Sequence, residues 1–154
     1  LHLPVCTDEE NEDYTPVFKE AVVDIVKKTA YMGEENYQFD MLFGEIVKEK
    51  FGMDIGSQTA YSVLDEESYD KLTEEISNDG HWILGYPYFT QSDPREYEEK
   101  YRVYDTLLFQ MDSDYINNED YVLWGDCGVG NFFINGEYLK KKDFSRILYH
   151  WDCC

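Results

Sequence analysis

The hydrophobic period of the chain changes at Gly80, and that change limits the folds open to it. Before Gly80, apolar residues recur at helical spacing. After it, they alternate or form short runs bounded by Gly, Pro, Asn and Asp. Thr15-Pro16 has the form of a cap followed by proline at the first helical position. Phe18, Ala21, Val22, Ile25 and Val26 follow, and predict a helix over about 16–30. Phe39, Leu42, Phe43, Ile46, Val47 and Phe51, stopped by Gly52, predict an amphipathic helix over 36–51. Asp65 caps a third helix, 66–77, with Tyr69, Leu72 and Ile76 facing inward. Asn78-Asp79-Gly80 ends it.

The second part reads as strands. His81-Trp82-Ile83-Leu84 is a short one, terminated by Gly85 and Pro87. Ser92-Asp93-Pro94 starts a helical turn through Tyr97. Val103 to Asp112 is the clearest strand. Neither of its faces is wholly polar, so a central place in the sheet is expected. Its alternation puts Leu107, Phe109 and Met111 on one face. Tyr121–Trp124 and Asn131–Ile134 are further strands joined by a glycine-rich connection, Asn135-Gly136 is a turn, and Phe144–Trp151 closes the sheet. Strands clustered in sequence pair antiparallel. The fold class is therefore α+β: N-terminal amphipathic helices followed by a mostly antiparallel β-sheet or roll.

Charge narrows the partners. The 154 residues carry 33 acidic and 13 basic side chains, a formal net of −20. Residues 1–80 hold 20 acids and 6 bases; residues 81–154 hold 13 and 7. The charge is thus mostly a coat on the helical part, and 7–13 reads as a solvated acidic loop. Nucleic acid is not an expected partner, because neutralising phosphates needs a basic surface. Anionic membranes are disfavoured for the same reason. At 43% hydrophobic and 17% aromatic, the chain has enough apolar material to fold despite its charge. One domain over 1–154 is expected. The chain opens at Leu1 rather than Met, which reads as a C-terminal fragment of a longer protein. No 18-residue apolar run is present, and Leu1 to Val5 does not read as a signal peptide. Cys6, Cys127, Cys153 and Cys154 include no C-x-x-C pair, so reduced cytoplasmic thiols are expected.

Four stretches carry a resemblance. They are Leu84-Gly85-Tyr86-Pro87-Tyr88-Phe89-Thr90-Gln91-Ser92-Asp93-Pro94-Arg95, Leu107 to Asp114, Trp124 to Ile134, and Asp143 to Cys153. Together they resemble the YwqG-like family, a bacterial family of unknown function. The resemblance is specific over about 81–154 and general in character over 16–80. It implies a β-rich α+β roll. It brings no settled activity, and no catalytic residue is carried over from it.

Several residues invite chemistry. Gly125, Gly128 and Gly130 suggest a phosphate loop, but they lead into a strand, and no Lys or Arg lies between Arg102 and Lys140. A hairpin connection with positive-φ glycines is the better reading. Asp112, Asp114 and Asp126 are the candidate metal or ligand cleft. Aspartates two apart past a strand end can reach one hard cation. The competing explanation is turn formation, which Asp favours by bonding its own backbone. Arg95 would clamp an anion in that cleft or form a structural ion pair. Cys127 lacks the nearby cation that makes a thiol reactive. No catalytic residue and no cofactor is expected. The preferred function is a non-enzymatic acidic module that takes a basic protein partner, in the manner of immunity proteins or antitoxins. The alternative is a metal- or small-ligand-binding domain, or a hydrolase-type enzyme, with the Asp-rich cleft.

Overall fold

The structure is a computed structural model and describes residues 15–153. The acidic stretch 7–13, Cys6 and Cys154 lie outside the described residues. Helices come first and strands follow, with antiparallel pairing throughout, so the α+β expectation holds. The helices are α1 (Phe39–Phe51), α2 (Ala60–Val63), α3 (Glu66–Ile76), α4 (Pro94–Tyr97) and α5 (Gly136–Lys140). The strands are β1 (Thr106–Asp112), β2 (Asp114–Ile116), β3 (Glu119–Val122), β4 (Val129–Ile134) and β5 (Leu148–Asp152).

The second and third predicted helices form where their signals lie. Gly52 closes α1 in the left-handed region (φ 68°), and its N–H donates to the Lys48 carbonyl. The Asp65 carboxylate accepts the Ser68 N–H at 2.8 Å and so caps α3. The first predicted helix does not form. Residues 20–33 have no regular secondary structure, and Val22, Val23, Ile25 and Val26 are exposed. Two causes are visible. The run Val22-Val23-Asp24-Ile25-Val26 is almost all β-branched, which weakens a helix. Its start is also held extended against β3: the Leu123 N–H donates to the Pro16 carbonyl at 2.8 Å, and the Phe18 N–H to the Tyr121 carbonyl at 2.9 Å.

Three strands make the principal sheet in the order β1-β4-β5, while β2 and β3 form a separate ribbon. The central strand is therefore β4, not the Val103–Asp112 segment. Among the described residues, β1 has only an isolated bridge, Trp82 to Gln110, on its outer side, and the predicted strand 81–84 reduces to that bridge. A bulge between Leu107 and Phe109 also breaks the alternation. It puts Leu107 on the face with Gln110 and Asp112 rather than with Phe109. Asn135-Gly136 is the start of a helix rather than a turn: Asn135 caps α5 through the Glu137 N–H at 3.0 Å. The turn that sequence reading misses is Asn117-Asn118, both at positive φ, which closes the β2–β3 ribbon.

The sheet has two unlike faces. One carries a ring ladder, Phe109–Phe132–Tyr149, with centroids 6.1 and 5.0 Å apart. Trp124 packs there over Gly130, where an added Cβ would fall 2.3 Å from the indole. The other face holds the core of Phe89, Leu107 and Phe133. A strap, residues 88–91, crosses this second face and is pinned by one side chain from each strand. Gln110 of β1 accepts the Tyr88 N–H at 2.8 Å. Asn131 of β4 donates to the Tyr88 carbonyl at 2.8 Å. Asp152 of β5 accepts the Gln91 N–H at 2.8 Å. The pins explain why this face carries polar residues at buried positions: a backbone crossing a sheet out of register must find its partners in side chains.

Candidate functional site

Of the four predicted site residues, the structure joins two. Asp112, half-buried at the end of β1, accepts the Gly80 N–H at 2.6 Å and the Ser113 N–H at 2.8 Å. Its own N–H donates to His81 Nδ1 at 3.1 Å, and His81 Nε2 lies 3.5 Å from the Asp114 carboxylate. His81 thus links Asp112 to Asp114. Burial pushes the Asp112 carboxyl above its ordinary range, against the two N–H bonds that favour its charge. Asp126 sits exposed in the turn after Trp124, where its carbonyl accepts the Tyr115 hydroxyl at 3.3 Å. Among the described residues, no three of His, Cys, Asp and Glu come together in a way that could hold a metal ion.

Arg95 is a structural residue. It is 4% exposed and grips the fully buried Asp93 through Nε at 2.8 Å and Nη2 at 2.6 Å. Nη1 donates to the Tyr104 carbonyl at 3.3 Å, and the guanidinium lies 4.5 Å above the Phe133 ring. The Asp93 carboxylate also caps α4 through the Arg95 N–H. A planar fork held on both sides in this way is engaged by its own fold. Its partners do not include Asp112, Asp114 or Asp126.

The glycine-rich connection is a tight turn rather than a hairpin between paired strands, since β3 pairs with β2 and β4 with β1 and β5, and of its three glycines only Gly125 has a positive φ. Gly125 has φ 63°, and the Gly128 N–H donates to the Trp124 carbonyl at 2.7 Å. Val129 and Gly130 already belong to β4. Cys127 within it is disulfide-bonded, whereas Cys153 is a free thiol. This corrects the expectation that all four thiols are reduced.

The residues that sequence reading missed lie where the strap leaves the sheet. His150 and Asp152, two apart on β5, share a face and line a recess of about 230 Å³ with Gln91, Ser92, Pro94, Tyr97 and Glu98. Asp152 is 8% exposed. One of its oxygens holds the strap, and the other, Oδ1, is buried with no hydrogen-bond partner among the described residues. His150 Nε2, Thr90 Oγ1 and Asn131 Oδ1 are likewise buried and unpartnered. Such groups are uncommon in folded proteins and call for an explanation. Burial holds the His150 imidazole below its ordinary pKa, with Asp152 and Asp93 opposing, so the neutral ring is favoured. Ser92, His150 and Asp152 are the residue types of a hydrolytic relay. Among the described residues, however, no hydrogen bond joins any two of them, so the relay is not assembled. The one sequence signal for this recess was the i, i+2 spacing of His150 and Asp152 in a strand.

A second recess, of about 380 Å³, lies between residues 33–35 and α3. Glu34, Glu35, Asp70 and Glu74 line it with Thr73 and Ser77, and no basic residue does. Burial raises both Glu34 and Glu35 above the usual carboxylate range, and neighbouring carboxylates add to it. Along α3, Glu66, Glu67, Asp70, Glu74 and Glu75 are exposed, with Lys71 the single base. Among the described residues, none of these five carboxylates is in an ion pair.

No helix among the described residues is long and apolar enough to cross a membrane. The model of a family described as a domain of unknown function, DUF1963, matches residues 5–153. No curated protein matches the chain.

Proposed function

We propose, for a chain that belongs to the DUF1963 family, a non-enzymatic role as an acidic module that takes a basic protein partner. Within that family we read it as YwqG-like and bacterial, on the four motifs between Leu84 and Cys153. The observation that carries the reading is the recess of Glu34, Glu35, Asp70 and Glu74 beside the exposed carboxylates of α3. Carboxylates gathered without counter-ions raise a negative potential that attracts Lys and Arg. Desolvating Glu34 and Glu35 further would favour a partner that supplies the missing charge. An immunity-like or antitoxin-like module, neutralising a basic toxin, is the concrete version.

The alternative is a metal- or small-ligand-binding domain, or a hydrolase-type enzyme, built on Asp112, Asp114, Asp126 and Arg95. It has less support, because Arg95 is bound to Asp93.

The test is capture of partners at low and high salt by the wild type and by a variant with Glu66, Glu67, Asp70, Glu74 and Glu75 changed to their amides. A basic protein should be enriched at low salt by the wild type alone. Equal capture by the variant, or no basic partner, would overturn the reading. A cytoplasmic location stays part of it as the sequence expectation, and the Cys127 disulfide speaks against that part. Alkylation at lysis decides the matter. Four labelled thiols mean a reducing compartment, and two mean an oxidising one.

A further inference from the structure

We propose that residues 20–28 form an antiparallel β-ladder with the same residues of a second copy of this chain. The ladder uses no residue of the acidic recess beside α3, so it stands or falls apart from that reading. The span is presented rather than packed. At one end the Phe18 N–H donates to the Tyr121 carbonyl at 2.9 Å, and at the other the Tyr31 N–H donates to Asn78 Oδ1 at 3.3 Å. Between these anchors residues 20–29 are all exposed, and among the described residues none of them takes part in a hydrogen bond or an ion pair. Val22 is 100% exposed, and Val23, Ile25 and Val26 are 70, 79 and 68% exposed. Single exposed apolar side chains need no explanation, but four within five consecutive residues do. All four are β-branched, the type that fits a pleated sheet and weakens a helix. Such side chains on a backbone with open donors and acceptors are a template for another strand.

Charge and symmetry select a second copy as that strand, and they set the register. A two-fold axis relating two identical antiparallel strands stands perpendicular to the ladder and keeps every side chain on its own face. The axis must therefore pass through a residue that meets its own copy. Centred on Asp24, the ladder sets Val23 opposite Ile25, Val22 opposite Val26, Ala21 opposite Lys27 and Glu20 opposite Lys28, each pair occurring twice. Apolar and opposite-charge pairs across a ladder stabilise it. Centring on Val23 would set Val22 against Asp24 and Lys19 against Lys27; centring on Ile25 would set Val23 against Lys27 and Val22 against Lys28. The Asp24 register gathers Val23 and Ile25 of both copies on one face, and closes the ladder with Glu20–Lys28 at each end. Its one mismatch is Asp24 against its own copy, a like-charge pair that keeps the association weak and reversible. Each chain also carries a formal net charge of −20, which opposes the approach of two copies. Salt screens that repulsion, so the dimer strengthens with salt, whereas capture of a basic partner by α3 weakens with it.

The experiment is sedimentation velocity of the whole chain over a wide range of protein concentration, at low and high salt. The wild type should show a reversible monomer–dimer equilibrium that tightens with salt. Val23→Lys acts twice in the ladder and should weaken the dimer by about tenfold or more. Asp24→Asn removes the like-charge pair and should tighten it severalfold. Glu20→Lys should weaken it, and Glu20→Lys combined with Lys28→Glu should restore it, which reads the register directly. Because residues 20–28 make no hydrogen bond or ion pair among the described residues, these variants should keep the wild-type melting temperature of the monomer. An unchanged melting temperature excludes unfolding as the cause of any lost dimer. A monomer at every concentration and both salts, a dimer indifferent to Val23→Lys, or a charge exchange that fails to restore association would overturn the proposal.

Discussion

The strand half and the helical half of this chain are held by different means. In the strand half, a segment without regular structure is fixed across a sheet by Gln110, Asn131 and Asp152. A fully buried ion pair, Asp93–Arg95, locks the turn that follows. In the helical half, α3 has no buried residue, and its start relies on a cap at Asp65. Residues 22–26 expose Val, Val, Ile and Val. Burial with specific polar satisfaction fixes one half. Charge covers the other, where it contributes to recognition and solubility more than to cohesion.

Substitutions can break this contrast, and the largest effects belong to the strand half. Asp93→Ala would leave the Arg95 guanidinium buried and unpaired, at a cost of about 3–5 kcal/mol. Denaturant unfolding measures it. A loss under about 1 kcal/mol would mean the pair is not the lock described. Gln110→Ala comes next. It strands the Tyr88 N–H and the Asn78 and Gly80 carbonyls, which Gln110 Nε2 reaches at 2.8 Å each. A loss of about 2–3 kcal/mol is expected. Neutralising the five α3 carboxylates should change stability by well under about 1 kcal/mol per site while abolishing salt-dependent partner capture. The same variant therefore separates recognition from folding.

The smallest effect is one of pH. Burial raises the folded pKa of Glu34, Glu35 and Asp112 above the unfolded values. Such acids hold protons more tightly when folded, so they favour the fold as pH falls from neutral toward their unfolded pKa values. His150 acts the other way. Its depressed folded pKa means that the stability it lends is lost as pH falls through the unfolded value. Glu35→Gln should raise the melting temperature slightly at pH 7 and by less at pH 5. Thermal melts at both values check it, and a gain that grows on acidification would contradict the sign.

Much of the fold was legible because local signals and tertiary structure agreed. Gly52 and Asp65 delimit helices by backbone chemistry that packing does not alter. The failures came where neighbours decided. Phe18 to Val26 has a helical stripe, but Pro16 and Phe18 are drawn into hydrogen bonds with β3 and the residue after it. The bulge at Leu108 shifts the faces of β1 by one residue, and a two-residue alternation cannot foresee an inserted residue. For the site, two roles were weighed for Arg95, and its guanidinium is paired with the Asp93 carboxylate. Asp112 and Asp114 were near each other in sequence and remain so in space. Asp152 carried no signal beyond its i, i+2 spacing from His150, because its environment is made by the strap, whose Gln91 lies 61 residues earlier in the chain.

The contrast between the halves is tested most directly by native-state hydrogen exchange, residue by residue, in low denaturant. Amides of β4, Val129 to Ile134, should exchange only through global unfolding. Those of α3 should exchange through local opening at clearly lower free energy. If α3 amides proved as protected as those of β4, the helical half would be held as firmly as the strand half, and the contrast between them would fail.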